Sequence, residues 1–403
     1  MTLPRSTALL LNLGHALDHM FLLIFATAVA AIAGDFGVGR WEDLMPYGVG
    51  AFFLFGIGSV PAGRLGDLWG RRPMMLVFFF GLGAAALLAA ASRSVWQLAA
   101  ALTLLGAFSS IYHPVGIPML VRHARNPGAT IGVNGLAGNL GIALAAVVTG
   151  LLVKQLGWRA AFAVPGLVSI ACGVAFARVA PRESEPPAST RSHKASVALP
   201  RPLLVRVFAV MTATAITGSL LFNFTTNGNG QLLRERFAGI VDDPAALGLL
   251  LAGVYTVASF SQLVVGRLID TQPLKRLYLG IVLLQAPLLA LAAHAHGWLL
   301  LALLTAIMAV IFGAIPFVDA MIVRYVDDRM RSRVSGMRLA VSFGISSLAV
   351  WLLGPTVKAA GFDALLLAMA GIALVTVAAA SALPGEQATR TASDAMGGER
   401  PAA

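Results

Sequence analysis

Three titratable side chains lie close together in an apolar stretch near the N-terminus. His15, Asp18 and His19 occur within residues 8–33, which are otherwise almost entirely apolar. At about 100° of rotation per helical residue, the three side chains fall within a sector of about 100° and share one helix face. A charged group at the centre of a bilayer costs at least about 2.5–3.5 kcal/mol, so such groups usually face a bundle interior or a wet cavity. The stretch therefore predicts a functional helix face.

Four interpretations of this face are open. The side chains form a proton relay, since histidine titrates near neutral pH, or they bind a substrate directly. His15 and His19 are also spaced like helical zinc ligands, but no glutamate or cysteine completes a set, so no metal site is predicted. In the fourth interpretation, His15 and Asp18 only hydrogen-bond each other or a neighbouring helix. We expect the face to handle protons or substrate in a cavity.

Residues 109–118, SSIYHPVGIP, form a second unusual stretch. Pro114 and Pro118 each remove a helical hydrogen bond, and two prolines four residues apart bend a helix toward one side. Bent or broken helices beside a cavity are typical of transporter sites. The alternative is a packing kink in which His113 binds a freed carbonyl. Tyr112 and His113 are therefore candidate cavity residues.

The elements that carry these residues must be membrane helices. Of the 403 residues, 58% are hydrophobic and 12% are charged, about half the charged fraction of a soluble protein. The net charge of +11 is scattered between apolar stretches and forms no single basic face, so no nucleic-acid partner is predicted. A single cysteine, Cys172, allows neither an internal disulfide nor a thiolate metal site. The sequence contains no phosphate-binding loop, so neither ATP coupling nor a cofactor is predicted.

Twelve stretches are long and apolar enough to cross a bilayer, which takes about 20 helical residues each. We number them spans 1 to 12, and they cover approximately residues 8–33, 44–62, 74–91, 96–121, 130–153, 161–179, 206–227, 246–265, 277–293, 298–323, 335–357 and 363–383. Span 1 is too long and too polar for the core of a secretion signal, so we expect it to remain uncleaved. The sequence thus predicts an all-α membrane protein of twelve transmembrane helices.

The basic residues predict the orientation of these spans. With both termini in the cytoplasm, 22 of the 29 Lys and Arg residues lie in inner segments and 7 in outer ones, which favours cytoplasmic termini in a cell inner membrane. Residues 180–202 are polar and proline-rich, and they predict a cytoplasmic linker between six-helix bundles at 1–179 and 203–383. Residues 384–403 lack apolar periodicity and predict a disordered cytoplasmic tail.

The two bundles contain an internal repeat. GRLGD at 63–67 returns as GRLID at 266–270, an offset of 203 residues. Gly157-Trp158 and Gly361-Phe362 keep nearly the same offset further along the chain. The sequence therefore predicts two parallel six-helix repeats around a central cavity, an arrangement common in transporters, with the binding site near the bilayer midplane.

The stretch GRLGDLWGRR, residues 63–72, resembles the loop motif of the major facilitator superfamily between spans 2 and 3. The matching residues are Gly63, Asp67, Gly70, Arg71 and Arg72, and the second copy keeps Gly266, Arg267 and Asp270. The resemblance implies a secondary transporter in which the aspartate closes a cytoplasmic gate against the start of span 11. Arg338 is the candidate partner there.

The same resemblance implies that spans 1, 4, 7 and 10 line the cavity, while spans 3, 6, 9 and 12 face lipid. Span 7 then contributes Asn223, Thr226 and Asn227 as candidate substrate contacts. Span 10 contributes Asp319, either as a second proton carrier or as a partner for a cavity histidine.

A more local resemblance is to the fosmidomycin-resistance type of exporter. It rests on the serine-rich turn before Tyr112-His113-Pro114, on His15, and on a Gly-Asn-x-Gly segment at 138–141. In that type an acidic residue follows the span-1 histidine by four, but His19 holds that place here. The span-4 arginine and span-5 Gly-Pro pair of many proton-driven drug exporters are replaced here by Leu102 and by a glycine-rich stretch.

These observations predict a secondary transporter that moves a small organic molecule by alternating access, with proton-coupled efflux as the expected direction. Proton-coupled uptake of a metabolite is the first alternative, and a non-transporting membrane sensor or assembly factor with the same fold is the second. No enzymatic activity is predicted. The expected partners are the substrate, protons and the lipid bilayer, and the chain is expected to be monomeric.

Overall fold

A computed structural model of the chain describes residues 3–122, 124, 127–182, 201–325 and 328–384. Every regular element in these ranges is helical, as predicted. Most of the predicted linker and tail lies outside the described residues. So do the side chains of Asp270, Asp319 and Arg338.

The helices follow the predicted spans in order. They are Arg5–Asp35, Trp41–Leu44, Val49–Ile57, Ser59–Trp69, Arg71–Ala91, Val95–Ser109, Ile117–Val121, Pro127–Leu156, Trp158–Val179, Arg201–Arg236, Pro244–Thr271, Leu274–Ala293, Gly297–Tyr325 and Asp328–Ser381, with a 3-10 helix at Met45–Gly48 and a π-helix at Tyr112–Gly116. Span 2 combines the segments from Trp41 to Trp69, and span 4 those from Val95 to Val121.

The last helix contains two spans. Asp328–Ser381 has 54 residues, which would extend about 80 Å if straight, far beyond a hydrocarbon core of about 30 Å. Gly361 interrupts it with φ 77° and ψ 175°, a conformation that is essentially restricted to glycine. Ten apolar helices of spanning length, the bent span 2 and this division give twelve spans in the described part of the chain.

The internal repeat is visible in the backbone. Gly157, between spans 5 and 6, has φ 84° and ψ 168°, nearly the conformation of Gly361 between spans 11 and 12. Spans 1 and 5 pack together in the first half as spans 7 and 11 do in the second. Between the halves, span 5 packs on span 8 and span 2 packs on span 11. These matching contacts are those of two parallel repeats.

Segments predicted on the same side of the membrane lie at the same end of the bundle. At the predicted outer end, Arg159 after the span 5–6 turn binds Asp35 at the end of span 1, at 2.7 Å. At the predicted inner end, Arg72 before span 3 donates hydrogen bonds to the carbonyls of Ala177 and Ala180, at the end of span 6. The order of spans therefore alternates between the two ends as the sequence requires.

Two predicted boundaries are wrong. The GRLGD segment lies within the helix Ser59–Trp69, and only Gly70, with φ 97°, forms the turn. Residues 228–236, beyond the predicted end of span 7, continue its helix to Arg236. In both places the hydropathy of the sequence falls while the backbone remains helical, so hydropathy alone places the helix end too early.

The lipid-facing assignment agrees with the exposed side chains. Spans 3, 6, 9 and 12 each present large apolar residues at the surface, for example Phe80, Leu167, Leu284 and Leu374. A soluble protein would rarely expose such an extensive apolar surface. Span 1, in contrast, is largely buried in the centre of the bundle.

Candidate functional site

The structure brings three histidines and an aspartate together between spans 1 and 4. The Nε2 atoms of His19 and His15 lie 3.1 Å apart. The ring of His113 lies 5.1 Å from that of His15 and 5.6 Å from that of His19, between centroids. Nδ1 of His113 is 3.6 Å from Oδ2 of Asp18. We call His15, Asp18, His19 and His113 the histidine cluster.

Span 4 reaches the cluster through a local change of helix type. Tyr112–Gly116 forms a π-helix between the α-helical segments of span 4. Proline at 114 cannot donate the hydrogen bond of a regular turn, and π-helical turns are frequent at functional sites. The predicted irregularity is therefore a widened turn that carries Tyr112 and His113.

His15 is fixed by neighbours on spans 4 and 5. Its Nδ1 lies 2.7 Å from the backbone carbonyl oxygen of Asn134, and a carbonyl only accepts, so Nδ1 carries a proton. In the neutral imidazole, Nε2 is then the acceptor and faces His19. The ring of Tyr112 stacks on that of His15 with an interplanar angle of 13°.

Asn134 links this arrangement to the main chain. Its Nδ2 donates to the hydroxyl of Tyr112 and to Oδ1 of Asn12, at 2.7 and 2.9 Å. The Tyr112 hydroxyl in turn donates to the carbonyl of Leu11 at 2.7 Å. This network holds the orientation of the His15 ring from two sides.

Asp18 is fully buried. Its side chain has 0% exposure, neither carboxylate oxygen forms a hydrogen bond of normal geometry among the described residues, and the hydroxyl of Ser109 lies near it. Burying an ionised carboxylate without a compensating partner is strongly unfavourable. The carboxylate therefore requires a proton or a nearby positive charge.

A small pocket lies between the two halves of the chain, beside span 1. Thr226 and Asn227 of span 7 line it, together with Thr27 of span 1 and Tyr255 of span 8. Two of the three span-7 candidates thus face the interface between the halves. Asn223 does not line this pocket, because its Nδ2 binds Oγ of Ser346 on span 11 at 2.8 Å.

The gate motif is ordered by backbone contacts. A Cβ at Gly63 would lie 3.2 Å from that of Pro114, so the glycine lets span 2 approach span 4 closely. Arg71 donates to the carbonyl of Pro118 at 3.2 Å. Asp67 is half-buried in the last turn of its helix, and Arg267 is exposed. The gating role of these residues remains a prediction.

At the predicted outer end, two ion pairs between described residues connect the halves. Lys154 of span 5 binds Asp243 at 2.8 Å, and Lys358 of span 11 binds Asp43 before span 2 at 2.5 Å. The hydrogen bond from Lys154 lowers the pKa of the Asp243 carboxyl below its usual value. Asp243 also caps span 8, since its side chain accepts from the amide of Ala245.

Glycines bring the backbones of the two halves into contact near these pairs. A Cβ at Gly354 of span 11 would lie 2.1 Å from the carbonyl oxygen of Glu42, and one at Gly248 of span 8 would lie 2.5 Å from that of Ala146. These distances leave no room for a side chain. The interface between the halves is therefore tightly closed at the outer end.

The comparison with known families identifies the fold. Residues 11–237, more than half of the chain, match the model of the Major Facilitator Superfamily. The chain belongs to the Major Facilitator Superfamily. The family assignment makes it a membrane transporter and not an enzyme.

A bacterial relative agrees with this assignment. The chain is 31% identical over 166 residues to the "Probable actinorhodin transporter" of Streptomyces coelicolor. The match covers 40% of this chain and 27% of that protein, so the chain spans well under half of the relative's length.

Solved structures share the whole fold with this superfamily member. A bacterial homolog of the human lysosomal transporter Spinster, inward-facing and unoccupied, has a TM-score of 0.68 at 14% identity and covers 98% of both chains. The D-xylose-proton symporter has a TM-score of 0.75 at 16% identity, over 93% of this chain and 96% of that one. At such low identity the similarity concerns the fold alone.

The sequence alone did not identify the residues that orient the histidine cluster. Asn134 was not a candidate, although it shares a helix face with Gly138 and Gly141 at spacings of four and seven residues. That face packs on span 1: a Cβ at Gly138 would lie 2.6 Å from the His15 ring. The spacing of Asn134, Gly138 and Gly141 is the sequence signal from which Asn134 could have been predicted to face span 1. The roles of His15, Asp18, His19 and His113 in handling protons or substrate remain predictions.

Proposed function

We propose that this transporter exports a small organic molecule across the cell inner membrane by alternating access, driven by protons moving inward. The observation that carries the proposal is the small pocket between the halves, which Thr226 and Asn227 line, with the predicted outer end closed above it by Lys154–Asp243 and Lys358–Asp43. A site at the interface of two rigid bundles changes its accessible side when the bundles rock. Exposed ion pairs are weak enough to be exchanged in each cycle.

Export and an organic cargo are supported by similarity. The relative from Streptomyces coelicolor is named as a transporter of actinorhodin, and span 4 resembles that of fosmidomycin-resistance exporters. The D-xylose-proton symporter, which has the same fold, supports the proton as the driving ion. In this proposal Thr226 and Asn227 contact the cargo, because their side chains line the pocket.

The proposal includes a topology. Both termini lie in the cytoplasm, the segment at 180–202 is a cytoplasmic linker, and the segment at 384–403 is a cytoplasmic tail. The excess of basic residues in the inner segments supports this orientation. A reporter fused after Ala403 that is active only in the cytoplasm is expected to be active, and one inserted after Gly239 is expected to be silent.

The first test is compound tolerance. The chain is expressed in an exporter-deficient bacterium, which is then exposed to a panel of toxic compounds that includes fosmidomycin. Raised tolerance to at least one compound is expected, and Asp67→Asn is expected to abolish it. Everted vesicles should accumulate the same compound, and a protonophore should stop the accumulation.

A matched pair of variants tests the pocket. Thr226 and Thr305 each donate to a carbonyl one turn earlier in their own helix, at 2.7 and 2.8 Å, but only Thr226 lines the pocket. Thr226→Val should lower tolerance at equal expression, whereas Thr305→Val should not. Accumulation in right-side-out vesicles instead would replace export with uptake, and no transport in either orientation would favour the sensor or assembly factor.

A further inference from the structure

The histidine cluster has a geometry that transport of an organic molecule does not require. Each of His15, His19 and His113 offers one ring nitrogen, and these three nitrogens lie within 4.8 Å of one another. The sequence shows only the first two at ligand spacing, and the fold supplies the third from span 4. We propose that His15, His19 and His113 form a binding site for a divalent transition-metal cation, with Zn²⁺ as the best fit and with Asp18 as the carboxylate beside His113.

The distances are close to those of a tetrahedral site. Zinc–nitrogen bonds of about 2.0–2.1 Å place neighbouring ligand atoms about 3.3 Å apart. The Nε2 atoms of His15 and His19 already lie 3.1 Å apart. The three nitrogens lie within 4.8 Å of one another, so the widest separation needs to shorten by about 1.5 Å on metal binding.

The surroundings of His15 are those of a metal ligand. Its Nδ1 donates to the backbone carbonyl of Asn134, so the lone pair of Nε2 points into the cluster. Ligating histidines almost always donate their second ring nitrogen in this way, which fixes the ring and its tautomer. The stacked ring of Tyr112 further restricts rotation of the imidazole.

Asp18 is the second, independent observation, because it is a buried carboxylate beside the site. Its carboxylate is fully buried, forms no hydrogen bond of normal geometry among the described residues, and lies 3.6 Å from Nδ1 of His113. A bound cation would compensate this buried oxygen pair. Three imidazoles leave the fourth zinc position open for a water molecule, as in other three-histidine zinc sites.

The donor types select the class of metal. Calcium and magnesium take six or more oxygen ligands, and the cluster offers one carboxylate. Imidazole nitrogen suits zinc, copper, nickel and related ions. This site is independent of the cargo pocket, so the inference does not rest on the proposed function.

Metal titration of the purified full-length protein tests the inference. After treatment with a chelator, the protein in detergent is titrated with Zn²⁺ by calorimetry, and one equivalent is expected to bind. His19→Ala and His113→Ala should each weaken binding at least tenfold, and Asp18→Asn should weaken it too. His296→Ala at the outer end is the matched control and should leave the affinity unchanged.

Cobalt gives a readout that a structural defect cannot mimic. Co²⁺ at the cluster should show the intense visible absorption of a tetrahedral site, and the spectrum should change in Asp18→Asn, which keeps the size of the side chain. No stoichiometric Zn²⁺ binding by the folded wild-type protein, or equal binding by the double variant His15→Ala/His19→Ala, would overturn the inference. Compound tolerance is measured separately, so failure here leaves the export proposal standing.

Discussion

At the scale of single residues, glycines of span 5 set how closely span 1 can approach. A Cβ at Gly141 would lie 2.1 Å from the carbonyl oxygen of Ala16, a backbone atom that cannot rotate away. Gly132, in the same helix, has nothing within 4 Å of the corresponding position. The two positions therefore separate the effect of steric overlap from that of helix propensity.

We expect Gly141→Ala to lower the free energy of unfolding by about 1–3 kcal/mol, because overpacking outweighs the gain in helix propensity. Gly132→Ala should be neutral or stabilising by up to about 1 kcal/mol. Thermal unfolding of both purified variants in the same detergent measures the difference. Equal stability of the two would show that span 1 yields freely and that the close contact is not a constraint.

At the scale of elements, two glycines end helices through a backbone conformation that other residues rarely adopt, and not through a close contact with a neighbouring helix. Gly157 and Gly361 have φ values of 84° and 77°, and an added Cβ at either position would meet nothing within 4 Å. Alanine in such a region costs about 1–3 kcal/mol. They occupy equivalent places in the two repeats, so their substitution should have similar effects.

We therefore expect Gly157→Ala and Gly361→Ala each to lower the free energy of unfolding by about 1–3 kcal/mol. Gly371 of span 12 has an ordinary φ and the same open surroundings, so Gly371→Ala is the control and should not destabilise. Denaturation curves of the three variants test this expectation. A loss at Gly371 as large as at the junctions would contradict the conformational explanation.

The twelve spans could be predicted from the sequence because about 20 consecutive apolar residues have few other uses. Helix ends could not, since Asp67 and residues 228–236 look like loop residues in a hydropathy profile while the backbone around them is helical. The shared face of His15, Asp18 and His19 followed from helical periodicity. The contacts of Asn134 and Asn223 did not, because periodicity gives a direction but no partner on another helix.

At the scale of the whole molecule, closure at the outer end depends on ion pairs between the halves. Their contribution can be tested by a change of pH and by substitution. Lys154 lowers the pKa of Asp243, so this pair contributes fully above the usual aspartate value of about 3.9 and is lost only as pH falls below it. We expect Lys154→Ala to increase outer-end accessibility by the same factor at pH 5 and pH 7.5. A factor that shrinks at pH 5 would contradict this.

The second pair permits a charge-exchange experiment on alternating access. Lys358 and Asp43 belong to opposite halves, whereas Arg159 and Asp35 form a comparable pair within the first half. An exposed ion pair contributes at most about 1 kcal/mol, but reversing one charge replaces attraction with repulsion across the closed interface. Lys358→Asp should therefore favour opening, and Lys358→Asp with Asp43→Lys should restore closure.

Accessibility of a pocket residue measures this shift. In a variant with Cys172→Ser and Ala145→Cys, the new thiol lies in the pocket lining beneath the outer closure, and its reaction with a membrane-impermeant reagent applied from outside reports opening. We expect faster labelling in the single charge reversal, near-normal labelling in the exchange, and no change on Arg159→Asp. If Arg159→Asp accelerated labelling as much as Lys358→Asp, general loosening of the outer end would explain the result. The pair across the halves would then not control which side of the pocket is open.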